Sequence, residues 1–161
     1  MHSRNYIHRD LTPDNIMMGI KNKSNIVHLI DFGLMRSVMR SKSNKHIAFM
    51  HGKNLVGTCR FVSINAHMGF ELSRRDDLLT LVNIIVYLYT GDLPWSQLPI
   101  NPNSARYRDL GKLKERHLKT DLFEGCPKLF KDIHDYSSQL AFEKMPNYKK
   151  LKQWVRSYAD S

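Results

Sequence analysis

His8-Arg9-Asp10-Leu11-Thr12-Pro13-Asp14-Asn15 is the stretch on which the reading of this chain turns. It is a polar run that leads straight into an apolar one. Asn15-Ile16-Met17-Met18-Gly19 and Ile26-Val27-His28-Leu29-Ile30 read as two short strands, with Lys21-Asn22-Lys23-Ser24-Asn25 as the turn between them. The second strand runs directly into Asp31-Phe32-Gly33. Residues 34–60 then show no sustained hydrophobic period and read as one long loop. A loop of that length in a compact domain is usually functional or disordered.

From residue 73 the pattern turns helical. Ser73 followed by Asp76 resembles a capping box with Asp in place of the usual Glu or Gln. Asp76 and Asp77 fall in the first turn, where the helix dipole favours negative charge. The helix runs through Leu78–Tyr89 and stops at Gly91; being apolar nearly all round, it is expected at the buried centre. Helices near 104–118, 126–142 and 146–159 complete a mainly α domain with one small β-hairpin.

The bulk numbers fit a single domain. The 161 residues are 42% hydrophobic and 25% charged, with a formal net charge of +10. No signal-peptide core opens the chain, and no apolar run is long enough to span a bilayer, so no membrane partner is expected. Cys59 and Cys126 give neither a disulfide framework nor metal-ligand spacing, which points to an intracellular compartment, cytoplasmic or nuclear. The positive field attracts nucleic acid or acidic protein alike. The Lys and Arg residues are scattered and show no aromatic interleaving, so nucleic acid is disfavoured.

Three segments in one order carry a resemblance. The first matches the kinase catalytic loop, H-R-D followed by four residues and Asn, and Asp31-Phe32-Gly33 matches D-F-G. Ser73-Arg74-Arg75-Asp76-Asp77 opens the apolar helix. The wording of Gly57-Thr58-Cys59-Arg60-Phe61-Val62-Ser63-Ile64-Asn65 and of Leu93-Pro94-Trp95 is similar to the casein kinase 1 family, in which Ser-Ile-Asn stands where other kinases have Ala-Pro-Glu. The chain thus resembles the C-terminal lobe of such a kinase over nearly its whole length, a partial kinase domain spanning 1–161.

The resemblance implies serine/threonine kinase chemistry with ATP and Mg2+. Phosphoryl transfer is mostly positioning and charge stabilisation. Asp10 would meet the substrate hydroxyl, Thr58 would brace it, and Asp31 and Asn15 would hold the metal through hard oxygens. His8, Gly33 and Asp77 would be structural supports, Gly33 by taking backbone conformations closed to other residues. Substrates would be acidic or phosphorylated proteins. Their charge would be held by Arg9, Arg36 and Lys53 in one pocket and by Arg60 and Arg106 in another.

Two departures bear on activity. Thr12 stands where the catalytic loop of serine/threonine kinases carries Lys, and a hydroxyl supplies no positive charge. The 161 residues also contain no Gly-rich loop and no strand Lys, so the N-terminal lobe is missing from them. In the family, the helix that leads into His8-Arg9-Asp10 packs on the helix at 78–89. Part of the core is therefore expected to be exposed, to be covered by a partner chain or by that lobe. The two functional expectations are a casein kinase 1-like enzyme and a catalytically inactive kinase-derived module that binds acidic or phosphorylated proteins.

Overall fold

The computed structural model describes residues 1–41, 43–97 and 106–160, with the backbone alone at Arg106. Four short strands precede five helices: β1 Tyr6–Ile7, β2 Ile16–Met18, β3 Val27–Leu29, β4 Arg36–Ser37, α1 Ile64–His67, α2 Arg74–Thr90, α3 Arg106–Thr120, α4 Lys128–Ser138 and α5 Tyr148–Ala159. The mainly α fold with a small hairpin is as expected.

The hairpin pairs β2 with β3 in antiparallel register, Ile16 opposite Leu29 and Met18 opposite Val27. A second antiparallel pair was not foreseen. β4 lies inside the segment read as loop, and it pairs with β1, Ile7 opposite Arg36. Two-residue strands are too short to leave a period in the sequence. Their effect on packing is large, because Ile7 and Val38 become wholly buried and join Val62, Ala66 and Leu72 in a small core.

Helix α2 is the central element. Asp76 accepts from the backbone N–H of Ser73 at 2.8 Å, which makes the acid's half of the capping box. Gly91 ends the helix in a left-handed conformation, φ 84°, that a glycine adopts without strain. Val82, Ile84 and Val86 pack with Phe61, Trp95 and Leu122 in the main core. The other side of the same helix is open: Leu81 is 37% and Leu88 63% exposed. Leu11, Leu29, Leu78 and Leu81 wall a shallow cavity of about 340 Å³ there. The helix is therefore buried on its inner face and open on the other, so it is central without being buried all round, and the open face is the partial exposure expected of the helix at 78–89.

The remaining helices shift modestly. The start of α3 at 104 and 105 lies outside the described residues. α4 ends at Ser138 rather than near 142, because the Ser137 hydroxyl turns back to the Ile133 carbonyl and the Ser138 hydroxyl to that of Asp135, at 2.7 and 2.9 Å. α5 begins at Tyr148, where the Asn147 side chain accepts from Lys150 N–H. Among the described residues no helix is long and apolar enough to cross a membrane.

Candidate active site

The catalytic loop is held from below by one carboxylate. Asp77, buried in the first turn of α2, accepts the His8 N–H at 2.7 Å and the Arg9 N–H at 3.0 Å. These bonds hold Arg9 in a left-handed backbone, φ 71°, that non-glycine residues seldom take. A third donor arrives from His2, whose Nε2 lies 2.7 Å from Asp77 Oδ2. A carboxylate only accepts here, so Nε2 carries the proton and Nδ1 takes the Tyr148 hydroxyl. Helix α5 is thereby tied to the catalytic loop through His2 and Asp77.

Asp10 sits above this anchor. Its Oδ1 accepts both the N–H and the hydroxyl of Thr58, at 2.9 and 2.8 Å. The Asn15 amide donates to the Asp10 carbonyl at 3.0 Å. The aspartate, its brace and the loop asparagine therefore form one connected unit. Gly57 makes the brace sterically feasible: its φ is 92°, and a Cβ there would lie 2.3 Å from the Arg9 carbonyl oxygen. The sequence showed only a glycine before a threonine; the close approach to the catalytic loop is visible only in three dimensions.

Thr12 turns inward. It is buried, and its Oγ1 accepts the Asn15 N–H at 3.2 Å, capping the turn Pro13–Asn15. His8 is likewise buried, with Nε2 donating to the Ile30 carbonyl and its ring against Phe32. Asp31 follows at the end of β3, and Ile30 N–H bonds the Asn15 carbonyl, so Asp31 and Asn15 stand at adjacent strand ends. The role expected for Gly33 needs correction. The left-handed residue is Asp31 itself, φ 56°, while Gly33 donates its N–H to Asp31 Oδ1 at 3.1 Å. What Gly33 provides is space, since a Cβ there would sit 3.1 Å from that same oxygen.

Asp31 and Asn15 fit a magnesium ion. Asp31 is exposed, and its Oδ2 is not used by the Gly33 bond. Asn15 spends its amide N–H on Asp10, which leaves its carbonyl oxygen as the free donor atom. Two hard oxygens with room for water and phosphate match the preference of Mg2+ for few protein ligands.

The predicted anion pockets separate into two cases. Arg9, Arg36 and Lys53 do line one cleft of about 140 Å³, together with Val56, Phe70 and Glu71. Glu71 was missed. It is buried and pairs with Arg36 at 2.8 Å and Lys53 at 3.3 Å, so two of the three cations share one carboxylate, while Arg9 Nε donates to the Leu34 carbonyl. Burial, followed by the neighbouring Arg36, lowers the Arg9 guanidinium below its ordinary value. An acid flanked by Phe70 and Leu72 was the available hint. For the second pocket, Arg60 is half-buried beside the catalytic unit, and the Arg106 side chain lies outside the described residues.

The Ser63-Ile64-Asn65 wording gains a physical reason. Ser63 Oγ and Asn65 Nδ2 both donate to Asp76 Oδ1, at 2.9 and 2.8 Å. The polar pair thus joins α1 to the start of α2, and burial pushes the Asp76 carboxyl up while these donors oppose the shift. The family model described as the protein kinase domain matches residues 1–145.

Proposed function

Because this chain belongs to the protein kinase domain family, we propose that it carries the catalytic-loop half of a serine/threonine kinase site of the casein kinase 1 kind, moving the γ-phosphate of ATP to acidic or phosphate-bearing proteins. The observation that carries this reading is the double bond from Thr58 to Asp10. With Oδ1 so held, Oδ2 of Asp10 is the atom that meets a substrate hydroxyl and takes its proton. Asn15 fixes the loop from the other side through the Asp10 carbonyl. Mg2+ held by Asp31 and Asn15 would neutralise charge on the phosphates. Arg9, Arg36 and Lys53 set three positive charges against the single negative charge of Glu71, a surplus of two that suits a substrate phosphate or carboxylate.

Thr12 favours a second reading, a binding module without catalysis. Its hydroxyl oxygen caps the turn by accepting the Asn15 N–H, and the side chain brings no positive charge to the place where serine/threonine kinases carry Lys. Loss of one transition-state donor costs roughly 10²–10³ in rate.

Titration of a phosphoserine peptide against its unphosphorylated twin, at two salt concentrations, tests the shared anion chemistry. The phosphopeptide should bind tighter, and Arg60→Ala should narrow the gap; equal affinities reject the reading. Phosphate transfer to casein separates the two functions. Transfer abolished by Asp10→Asn supports the enzyme, whereas phosphopeptide binding without transfer supports the module.

A further inference from the structure

The stretch Cys59-Arg60-Phe61-Val62 forms a turn, with the Phe61 and Val62 N–H groups donating to the Thr58 carbonyl at 2.9 and 3.1 Å, and each of its own four carbonyls is taken by a side chain from elsewhere. Lys114 Nζ donates to Cys59 O and Val62 O, both at 2.8 Å. Trp95 Nε1 donates to Arg60 O at 2.8 Å, and Asn83 Nδ2 to Phe61 O at 2.7 Å. His67 Nε2 adds a second donor to Cys59 O at 3.2 Å. These donors come from α3, the turn after α2, α2 itself and α1.

Lys114 is the unusual member. Lysine is among the residues least often buried, yet this one is 1% exposed. No carboxylate pairs with it in the described structure; its ammonium lies 5.1 Å from the Trp95 ring centroid. The approach of α3 that brings it there depends on Gly111, where a Cβ would lie 2.7 Å from that of His67. Burial costs a lysine several kcal/mol of hydration.

What these carbonyls flank is chemically specific. Thr58, one residue before, holds Asp10 by two bonds. Arg60, inside the stretch, is the cation assigned above to substrate charge. We propose that Lys114, seconded by Trp95 and Asn83, is a positioning residue: it pins the backbone of 59–62 so that Thr58 reaches Asp10 while Arg60 faces the substrate's anion. The proposal rests on the kinase reading for the role of Arg60. The pinning itself does not.

The test uses Lys114→Met, which keeps length and loses every donor, and Lys114→Arg, which restores donors. Trypsin has one site in the pinned stretch, after Arg60. In the folded 161-residue chain, Lys114→Met should speed cleavage after Arg60 at least tenfold. Cleavage after Lys131, in α4, should stay within twofold. Phosphopeptide affinity should fall at least fivefold, and Lys114→Arg should recover most of both effects. Unchanged cleavage after Arg60 in a folded Lys114→Met chain overturns the pinning. Accelerated cleavage with unchanged phosphopeptide affinity overturns the positioning role. If the wild-type chain prefers neither peptide, the substrate reading falls and the positioning role falls with it, while the cleavage result still decides the pinning. Should Lys114→Met not fold, amide hydrogen exchange in Trp95→Phe, which removes the donor to the Arg60 carbonyl, decides: Phe61 and Val62 exchanging at least tenfold faster than in the wild type, with the middle of α2 unchanged, supports the pinning, and unchanged exchange overturns it.

Discussion

Helix α2 has two sides of nearly the same composition and opposite fates. Val82 and Ile84 are completely buried, whereas Leu81 and Leu88, on the same helix, face outward. Hydrophobicity does not separate them; the neighbours do. The inner side meets Phe61, Trp95 and Leu122 and carries Asn83 to the Phe61 carbonyl. On the outer side Leu81 lines the open cavity beside Leu29, and Leu88 is 63% exposed. An apolar helix is a statement about what could be buried, and only the packing around it says what is.

Substitutions can break or sharpen that contrast, and the largest effect belongs to the inner side. Ile84→Ala should cost about 2–5 kcal/mol, by lost transfer and an unfilled cavity, against less than about 0.5 kcal/mol for Leu88→Ala. Chemical denaturation with equal slopes measures both, and similar losses at the two positions would erase the distinction.

Asp77→Ala, at the polar end of the inner side, should follow. It orphans the N–H groups of His8 and Arg9, at about 1–3 kcal/mol for each buried donor left unpaired. Its signature is local: exchange of those two amides should accelerate beyond what the loss of global stability accounts for.

A third expectation concerns pH. Burial, with the positive charge of Lys114 next in weight, pushes His67 down from 6.5 to about 3. The folded state therefore keeps this imidazole neutral while the unfolded chain protonates it below pH 6.5. Stability from this group is complete above pH 6.5 and declines as pH falls toward 3, by about 1.4 kcal/mol per unit. His67→Gln, which can still donate to the Cys59 carbonyl, should flatten that slope. An unaltered slope would assign it to other groups.

The smallest effect is on the surface. Lys128→Ala removes an exposed pair with Asp132 on α4 and should change stability by less than about 0.5 kcal/mol, less still in high salt.

Much of this was readable in the sequence because motif chemistry and helix signals are local. The capping signal at Ser73 and Asp76, the apolar run and Gly91 delimited α2 well, and His8 through Asn15 identified the loop that Asp77 anchors. What was not readable depends on distant neighbours. β1 and β4 are two residues each and exist only because they meet. Glu71 looked like one acid among fifteen until its pairing with Arg36 and Lys53 placed it inside the cation cleft. Thr12 was read only as the residue at the place of the catalytic-loop Lys, and its turn-capping bond to the Asn15 N–H became visible with the structure. Lys114 carried no signal, since a lysine on a polar helix reads as solvated until the helix is docked.

The link from Tyr148 through His2 to Asp77 also orders events in time. It joins residues 146 positions apart, while the amide bonds from Asp77 to the catalytic loop close over 69. On a ribosome, where synthesis runs N-terminal first, His2 and His8 emerge ahead of α2 and must wait for it, and the second tie waits until α5 has left the exit tunnel. A motif contiguous in sequence is thus completed by a contact from far along the chain, and an arrested nascent chain that stops before Tyr148 carries the catalytic sequence without its finished support.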